Sequence, residues 1–154
     1  DDLSVVATDH CPFCDAEKLL GAEDFRDTPN GLGVIEHRMD LLYQGVLTGE
    51  ITLQRWVELC STTPARLFGL QGRKGIIAPG ADADIVIFNP KTEHVLGAST
   101  HHMSIDYSVW EGIKVQGQSE SVMSRGSFVI RDRNFVGKPG HGEFLKRSLP
   151  EPLR

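Results

Sequence analysis

Val5-Val6-Ala7-Thr8-Asp9-His10-Cys11-Pro12-Phe13 decides how this chain reads. A short, β-branched apolar run stops abruptly at a carboxylate, a histidine and a proline-marked turn. A buried parallel strand delivers a functional side chain to the mouth of a barrel or open sheet in this way. Because the run is nearly all apolar, a strand here needs neighbours on both sides. The chain opens at Asp1, with no initiator methionine. If the strand closes a barrel, the chain is the C-terminal piece of a longer protein.

Working outward, residues 10–31 form a long polar loop carrying Pro12, Gly21, Pro29, Asn30 and Gly31. Loops of that length inside compact domains are usually functional. Ile35, Met39, Leu42 and Val46 then repeat at helix spacing. Glu36, His37, Arg38 and Asp40 fall on other faces, and Gly49 lies beyond the end. Thr52 is placed to cap a second helix that has Trp56, Val57 and Cys60 on one side. Thr63-Pro64 opens a third, short helix, with Thr as cap and Pro at the first helical position, and Gly69 closes it.

The character changes at Gly72. Gly75, Pro79 and Gly80 are turn punctuation, and Asp84-Ile85-Val86-Ile87-Phe88 is a strand ended by Asn89-Pro90. Short strands follow at residues 113–115, 121–123 and 128–130, which suits half of a β-sandwich. The tail from Lys138 is rich in Gly, Pro and charge, so it is either disordered or an arm laid on a partner. The expected division is therefore 1–71, 72–137 and 138–154, without internal repeats or low-complexity tracts.

The bulk properties exclude several classes of function. A chain of 154 residues and 17.0 kDa is long enough for one domain with a real core. Its 40% hydrophobic and 24% charged residues match an ordinary globular protein. A net charge of -5 argues against a nucleic-acid footprint or a membrane-surface patch. No apolar run reaches the roughly 18 residues of a membrane span, and the N-terminus lacks a signal-peptide pattern. Cys11, Cys14 and Cys60 are odd in number and too few for a disulfide scaffold, which points to a reducing, cytoplasmic setting.

Asp9 leads the candidate functional residues. A carboxylate at the C-terminal end of a strand can ligate a metal and shuttle a proton, or it can merely cap the following loop. His10 alternates to the opposite side of a strand, so a bond to loop backbone suits it better than metal ligation. Cys11-x-x-Cys14 has the spacing of a zinc knuckle or redox pair, but there is no second pair to complete a zinc site. Pro12 and the loop after it also do not suit a thioredoxin-like helix start, so Cys11 reads as loop packing. His101-His102 resembles a metal pair only in spelling, because sequence neighbours rarely ligate one ion. Pro29-Asn30-Gly31 is a turn signal first, in which Gly permits close backbone approach and the turn's amide and carbonyl can face a ligand. The stretch 72–80 contains glycines but no phosphate-loop pattern.

Taken together, several segments resemble dihydropyrimidinase and D-hydantoinase, the cyclic-amidase branch of the amidohydrolase superfamily. They are Thr8-Asp9-His10-Cys11-Pro12-Phe13, Pro29-Asn30-Gly31, Ile35-Glu36-His37-Arg38-Met39, Ser61-Thr62-Thr63-Pro64-Ala65-Arg66-Leu67-Phe68-Gly69-Leu70, Gly80-Ala81-Asp82-Ala83-Asp84-Ile85-Val86-Ile87, His101-His102-Met103 with Asp106-Tyr107, and Ser124-Arg125-Gly126. They run in order over nearly the whole chain. The Gly-Ala-Asp-Ala-Asp segment alone is less specific, since it recurs across amidohydrolases.

The resemblance implies an α/β fold. Residues 1–71 would supply strand 8 and helices of a TIM-like metallohydrolase (β/α)8 barrel, residues 72–137 part of a β-sandwich, and 138–154 an intersubunit arm. It also implies two zinc ions bridged by hydroxide, which open cyclic diamides such as 5,6-dihydrouracil or hydantoins. Asp9 matches the strand-8 aspartate that ligates one metal, takes the proton from the attacking hydroxide and passes it to the leaving ring nitrogen. Asn30 matches a loop asparagine whose backbone contacts the ring amide. The remaining family ligands, a His-x-His, a carboxylated lysine and two further histidines, do not lie in this chain, so it is expected to be inactive alone. The complete protein is expected to be a cytoplasmic homotetramer. The alternative is a non-catalytic, dihydropyrimidinase-like scaffolding protein, in which the residues at His10 and Asn30 differ. A freestanding β-rich binding module is disfavoured by the apolar first strand.

Overall fold

The computed structural model describes residues 3–150. It begins with a one-turn helix α1 (Asp15–Lys18) and 3-10 turns at Leu19–Gly21 and Phe25–Asp27. Then come α2 (Arg38–Leu47), α3 (Leu53–Val57), a π turn (Glu58–Thr62) and α4 (Thr63–Leu67). The strands β1 (Ile85–Val95), β2 (Lys114–Ser124), β3 (Ser127–Arg131) and β4 (Asn134–Phe135) follow as one antiparallel meander in chain order.

The face that α2 buries is not the one its apolar spacing suggests. Ile35 precedes the helix and is exposed, whereas His37, Asp40 and Tyr43 are buried. These three recur at i, i+3 and i+6 and face the sheet, so the stripe is rotated toward polar positions. Gln44 extends the same row. Its Nε2 donates to the carbonyl of Gln116 at 2.8 Å, and its Oε1 accepts from the Gln116 N–H at 3.2 Å. The side-chain amide thus bonds β2 as a neighbouring strand would.

The second helix begins as its sequence indicates, with the Thr52 hydroxyl accepting from the Arg55 N–H at 3.1 Å. It does not end before Thr63. Thr62 and Thr63 both have right-handed helical dihedrals, and α3, the π turn and α4 run on continuously. Pro64 explains the π turn: it lacks an N–H, and its ring crowds the carbonyl four residues earlier. The wider turn makes room for it, where the sequence suggests a new cap. Gly69 does terminate the helix, at φ 66°.

The sheet also differs from its sequence reading. β1 continues past Asn89-Pro90 to Val95, with its register shifting between Asn89 and Glu93. Pro90 therefore sits at a bulge, where a missing ladder N–H is tolerated. The stretches at 113–115 and 121–123 fall largely on one strand, β2, rather than two. Helices and sheet meet at three rings from three elements. Tyr43, Trp56 and Phe88 have centroid separations of 5.4, 4.8 and 4.9 Å. Gly117 lies beneath them at φ 95°, and a Cβ there would stand 2.4 Å from Tyr43 and 2.7 Å from Phe88. Only glycine lets the rings seat on β2.

The Gly-Ala-Asp-Ala-Asp segment has a structural task. Asp82 accepts from Arg73 and Lys74, each at 2.9 Å, and Asp84 pairs with Lys74. Asp84 also accepts from the Arg125 N–H at 2.8 Å, tying the start of β1 to the β2–β3 turn.

The expected strand over residues 5–9 does not form a ladder. Its backbone is taken up by helices: the Val6 N–H reaches the Leu59 carbonyl at 3.4 Å, and Arg38 Nη1 donates to the Val6 carbonyl at 2.9 Å. Strand assignment needs strand neighbours, and the one bridge beside this stretch among the described residues is His10 with Leu32. The tail, described as far as residue 150, has no regular structure and lies partly on its own chain. Ser148 N–H donates to the Gly69 carbonyl at 2.9 Å, His141 Nε2 meets the Ser124 carbonyl at 3.1 Å, and Arg125 donates to the His141 carbonyl. Phe144 and Leu149 nonetheless remain 95% and 90% exposed.

Candidate functional site

Asp9 occupies the left-handed region, at φ 47°. Asp tolerates that conformation better than most residues, and such strain concentrates at functional sites. Its carboxylate is exposed and makes no hydrogen bond or ion pair among the described residues. An anionic oxygen held on a bent backbone and left uncommitted is suited to a ligand. The cap reading lacks the bond it requires.

The next residues zip this strand end to the loop after Asn30. His10 Nδ1 accepts from the N–H groups of Val34 and Ile35 at 3.1 and 3.3 Å, as expected of a histidine bonded to loop backbone. The Cys11 N–H reaches the Leu32 carbonyl at 3.1 Å. Gly31, at φ 123°, presses on Cys11, and a Cβ there would lie 2.5 Å from the Cys11 carbonyl oxygen. The close approach that glycine permits is thus made to Cys11. Asn30 is exposed, and neither its N–H nor its carbonyl has a partner among the described residues.

Local and distant residues brace this loop. Cys14 N–H donates to Glu17 at 2.7 Å, and Asp15 N–H donates to Asp106 at 2.9 Å. Lys18 Nζ donates to the carbonyls of Pro29 and Gly31. His102 bonds Glu36 through both its backbone N–H, at 2.6 Å, and its ring, at 2.7 Å. The neighbouring His101 ring turns to the Tyr107 carbonyl at 3.4 Å, so the two histidines serve different partners. Cys11, Cys14 and Cys60 are free thiols.

Among the described residues no group of three or more His, Cys, Asp or Glu side chains could hold a metal ion. The exposed Asp9 carboxylate offers a single oxygen donor.

A second polar cluster, two members of which the sequence places off the apolar stripe of α2, lies between α2 and the sheet. His94 Nε2 is 3.2 Å from Asp40 Oδ2, and the His37 and His101 rings are 6.0 Å apart. Burial pushes the Asp40 carboxyl up to about 7, against a lowering bond from the Ser119 backbone and with help from Glu36. Burial also holds His37 and His94 below the ordinary imidazole value. An unfolded aspartate loses its proton near pH ~3.9, so between there and pH 7 the folded state binds the extra proton. Asp40 therefore contributes less stability as pH rises through that window. Asp40→Asn, which cannot ionise, should gain on the wild type between pH 5 and pH 8, by up to about 2.5 kcal/mol. Parallel thermal melts at the two pH values decide it: a gap that does not move with pH contradicts a neutral, buried Asp40.

The sequence model of the amidohydrolase family matches residues 2–129. The chain belongs to the amidohydrolase family. It is 52% identical to a D-hydantoinase of Streptomyces coelicolor over 154 residues, covering 99% of this chain and 33% of that protein. The structure superposes on a D-hydantoinase from Bacillus sp. AR9 with TM-score 0.94 and 49% identity, covering 97% of this chain and 33% of that one. On the dihydropyrimidinase from Brevibacillus agri the TM-score is 0.95 at 46% identity, covering 98% and 33%. The chain thus spans about a third of the length of these relatives. No helix among the described residues is long and apolar enough to cross a membrane.

Proposed function

We propose that the full-length protein carrying this chain hydrolytically opens cyclic diamides: 5,6-dihydropyrimidines such as dihydrouracil, or hydantoins. The similarity to D-hydantoinases and a dihydropyrimidinase supports the reaction class. The observation that carries the reading is Asp9, an uncommitted carboxylate on a left-handed backbone, in a segment bonded to the loop of Asn30. On this reading residues 1–71 complete a (β/α)8 barrel, with residues 5–9 as its eighth strand paired to strands outside this chain. Residues 72–137 belong to a β-sandwich.

Asp9 would hold one of two zinc ions, which supply a nucleophile near neutral pH and polarise the scissile carbonyl. The Asp9 carboxylate accepts the proton of the attacking water and returns it to the ring nitrogen as the C–N bond breaks. The free backbone N–H and carbonyl of Asn30 bind the ring amide. The presence of Asp9, His10 and Asn30 together favours an enzyme over a non-catalytic scaffolding relative. Chromatographic assay of ring-opened product tests this. The full-length protein should open dihydrouracil or hydantoin, and the 154-residue chain alone should not, because it supplies one expected metal ligand. Turnover of neither ring by the full-length protein contradicts the reading.

The protein is further read as a cytoplasmic homotetramer whose tail, 138–154, is an intersubunit arm. Phe144 and Leu149, turned to solvent on a segment that is bonded at His141 and Ser148, support this. Deleting residues 138–154 from the full-length protein should shift it toward dimers or monomers while its circular dichroism stays unchanged. An unaltered tetramer by size-exclusion chromatography with light scattering removes the arm from the account.

A further inference from the structure

Asn30 is bracketed by two carbonyls that a single cation holds. Lys18, the last residue of α1, is half-buried, and its Nζ donates to the Pro29 carbonyl and, at 2.6 Å, to the Gly31 carbonyl. The ammonium also lies 5.1 Å from the centroid of the Phe13 ring, which limits its wandering. Phe13 belongs to the same Asp9-to-Phe13 turn, so the clamp is built on the segment that carries the carboxylate.

The geometry of the peptide unit makes this more than a loop fastening. The Pro29 carbonyl and the Asn30 N–H belong to one planar, trans peptide. Fixing the oxygen against Lys18 therefore points the Asn30 N–H the opposite way. The Gly31 carbonyl fixes the peptide two units on, so the intervening Asn30 carbonyl has little freedom left. Both Asn30 backbone groups are without partners among the described residues. Donation from a cation to the Pro29 carbonyl also polarises that peptide and strengthens its N–H as a donor.

We propose that Lys18 is a positioning residue for the substrate's ring amide: by clamping the Pro29 and Gly31 carbonyls it presents the N–H and C=O of Asn30 together. This rests on the cyclic-amidase reading above. It adds a specificity: the preferred substrate is a ring whose amide keeps both an unsubstituted N–H and an adjacent carbonyl, and a methyl on that nitrogen is rejected.

The test uses the full-length protein and its Lys18→Met variant, assayed on hydantoin and on its two ring-N-methylated forms. In the wild type at least one methylated form should react worse than the parent. In Lys18→Met, KM for hydantoin should rise roughly 10–100-fold, the loss of one or two oriented hydrogen bonds. kcat should change far less, and the discrimination against N-methylation should shrink. Lys18→Arg keeps a cation with several donors and should recover part of the loss. Unchanged KM and unchanged discrimination overturn the proposal. So does a fall in kcat that is equal for all three rings and accompanied by a lower melting temperature, since that marks a merely structural lysine. A crystal structure of Lys18→Met gives a readout free of turnover. The Pro29-to-Gly31 peptides should be reoriented, and an unmoved loop overturns the clamp. If the wild type opens no ring, the amidase reading fails by itself and the loop conformation still decides the clamp.

Discussion

Asp9→Ala in the full-length protein should lower kcat by roughly 10²–10⁴-fold from the lost proton transfer alone, and further through the lost metal ligand. Its effect on stability should be limited to the strain of alanine on a left-handed backbone, about 1 kcal/mol. Asp9 is exposed and has no bond among the described residues, so its removal leaves no buried group unsatisfied. Asp9→Asn sharpens the test. Asparagine also tolerates a left-handed backbone and has the same shape, but it neither accepts the proton nor brings negative charge to a metal. Asp9→Asn should melt with the wild type, and both variants should be nearly inactive. Near-normal turnover by Asp9→Asn would mean that the residue only shapes the turn.

Trp56→Ala should produce the largest loss of stability, about 3–5 kcal/mol, as expected when a buried aromatic is truncated in a well-packed site. Trp56 is 5% exposed, and its Nε1 donates to the Met39 carbonyl at 3.2 Å. Its ring stands against both Tyr43 and Phe88, so removing it opens the seam between α2, α3 and the sheet. Leu53→Ala, three residues earlier on the same helix and 52% exposed, should stay within about 0.5 kcal/mol of the wild type. Urea unfolding followed by far-ultraviolet circular dichroism checks both. Equal losses at the two positions would mean that the ring cluster is not the seam described here.

What could be read from the sequence was mostly local. Thr52 capping α3 and Gly69 ending α4 are decided within a few residues, and the structure shows both. The bond from His10 to loop backbone was also legible, because a strand alternates its side chains and Asp9 had claimed the other side. The Pro64 and Pro90 breaks were read too strongly. A proline disturbs the local hydrogen bonding, but a π turn and a β-bulge each absorb that disturbance without ending the element.

The features that escaped are non-local. Nothing in the spacing of Tyr43, Trp56, Phe88 and Gly117 shows that they meet, because they come from four elements. His37 and Asp40 were placed off the apolar stripe, since apolar periodicity is blind to a polar row that finds its partners on a distant strand. Lys18 carries no signal in the sequence. Its two acceptors lie 11 and 13 residues away, and only the folded loop brings them under one ammonium. The family resemblance had marked His101, His102 and Asp106 without a task. The structure gives two of them one: His102 holds Glu36, and Asp106 accepts from the first N–H of α1.

Metal-edge anomalous diffraction from crystals of the full-length protein grown with zinc tests the central claim most directly. The account predicts anomalous peaks with the Asp9 carboxylate bonded to one of them and Asn30 lining the same cavity. Peaks whose ligands exclude Asp9, in a protein that still opens cyclic diamides, would contradict it.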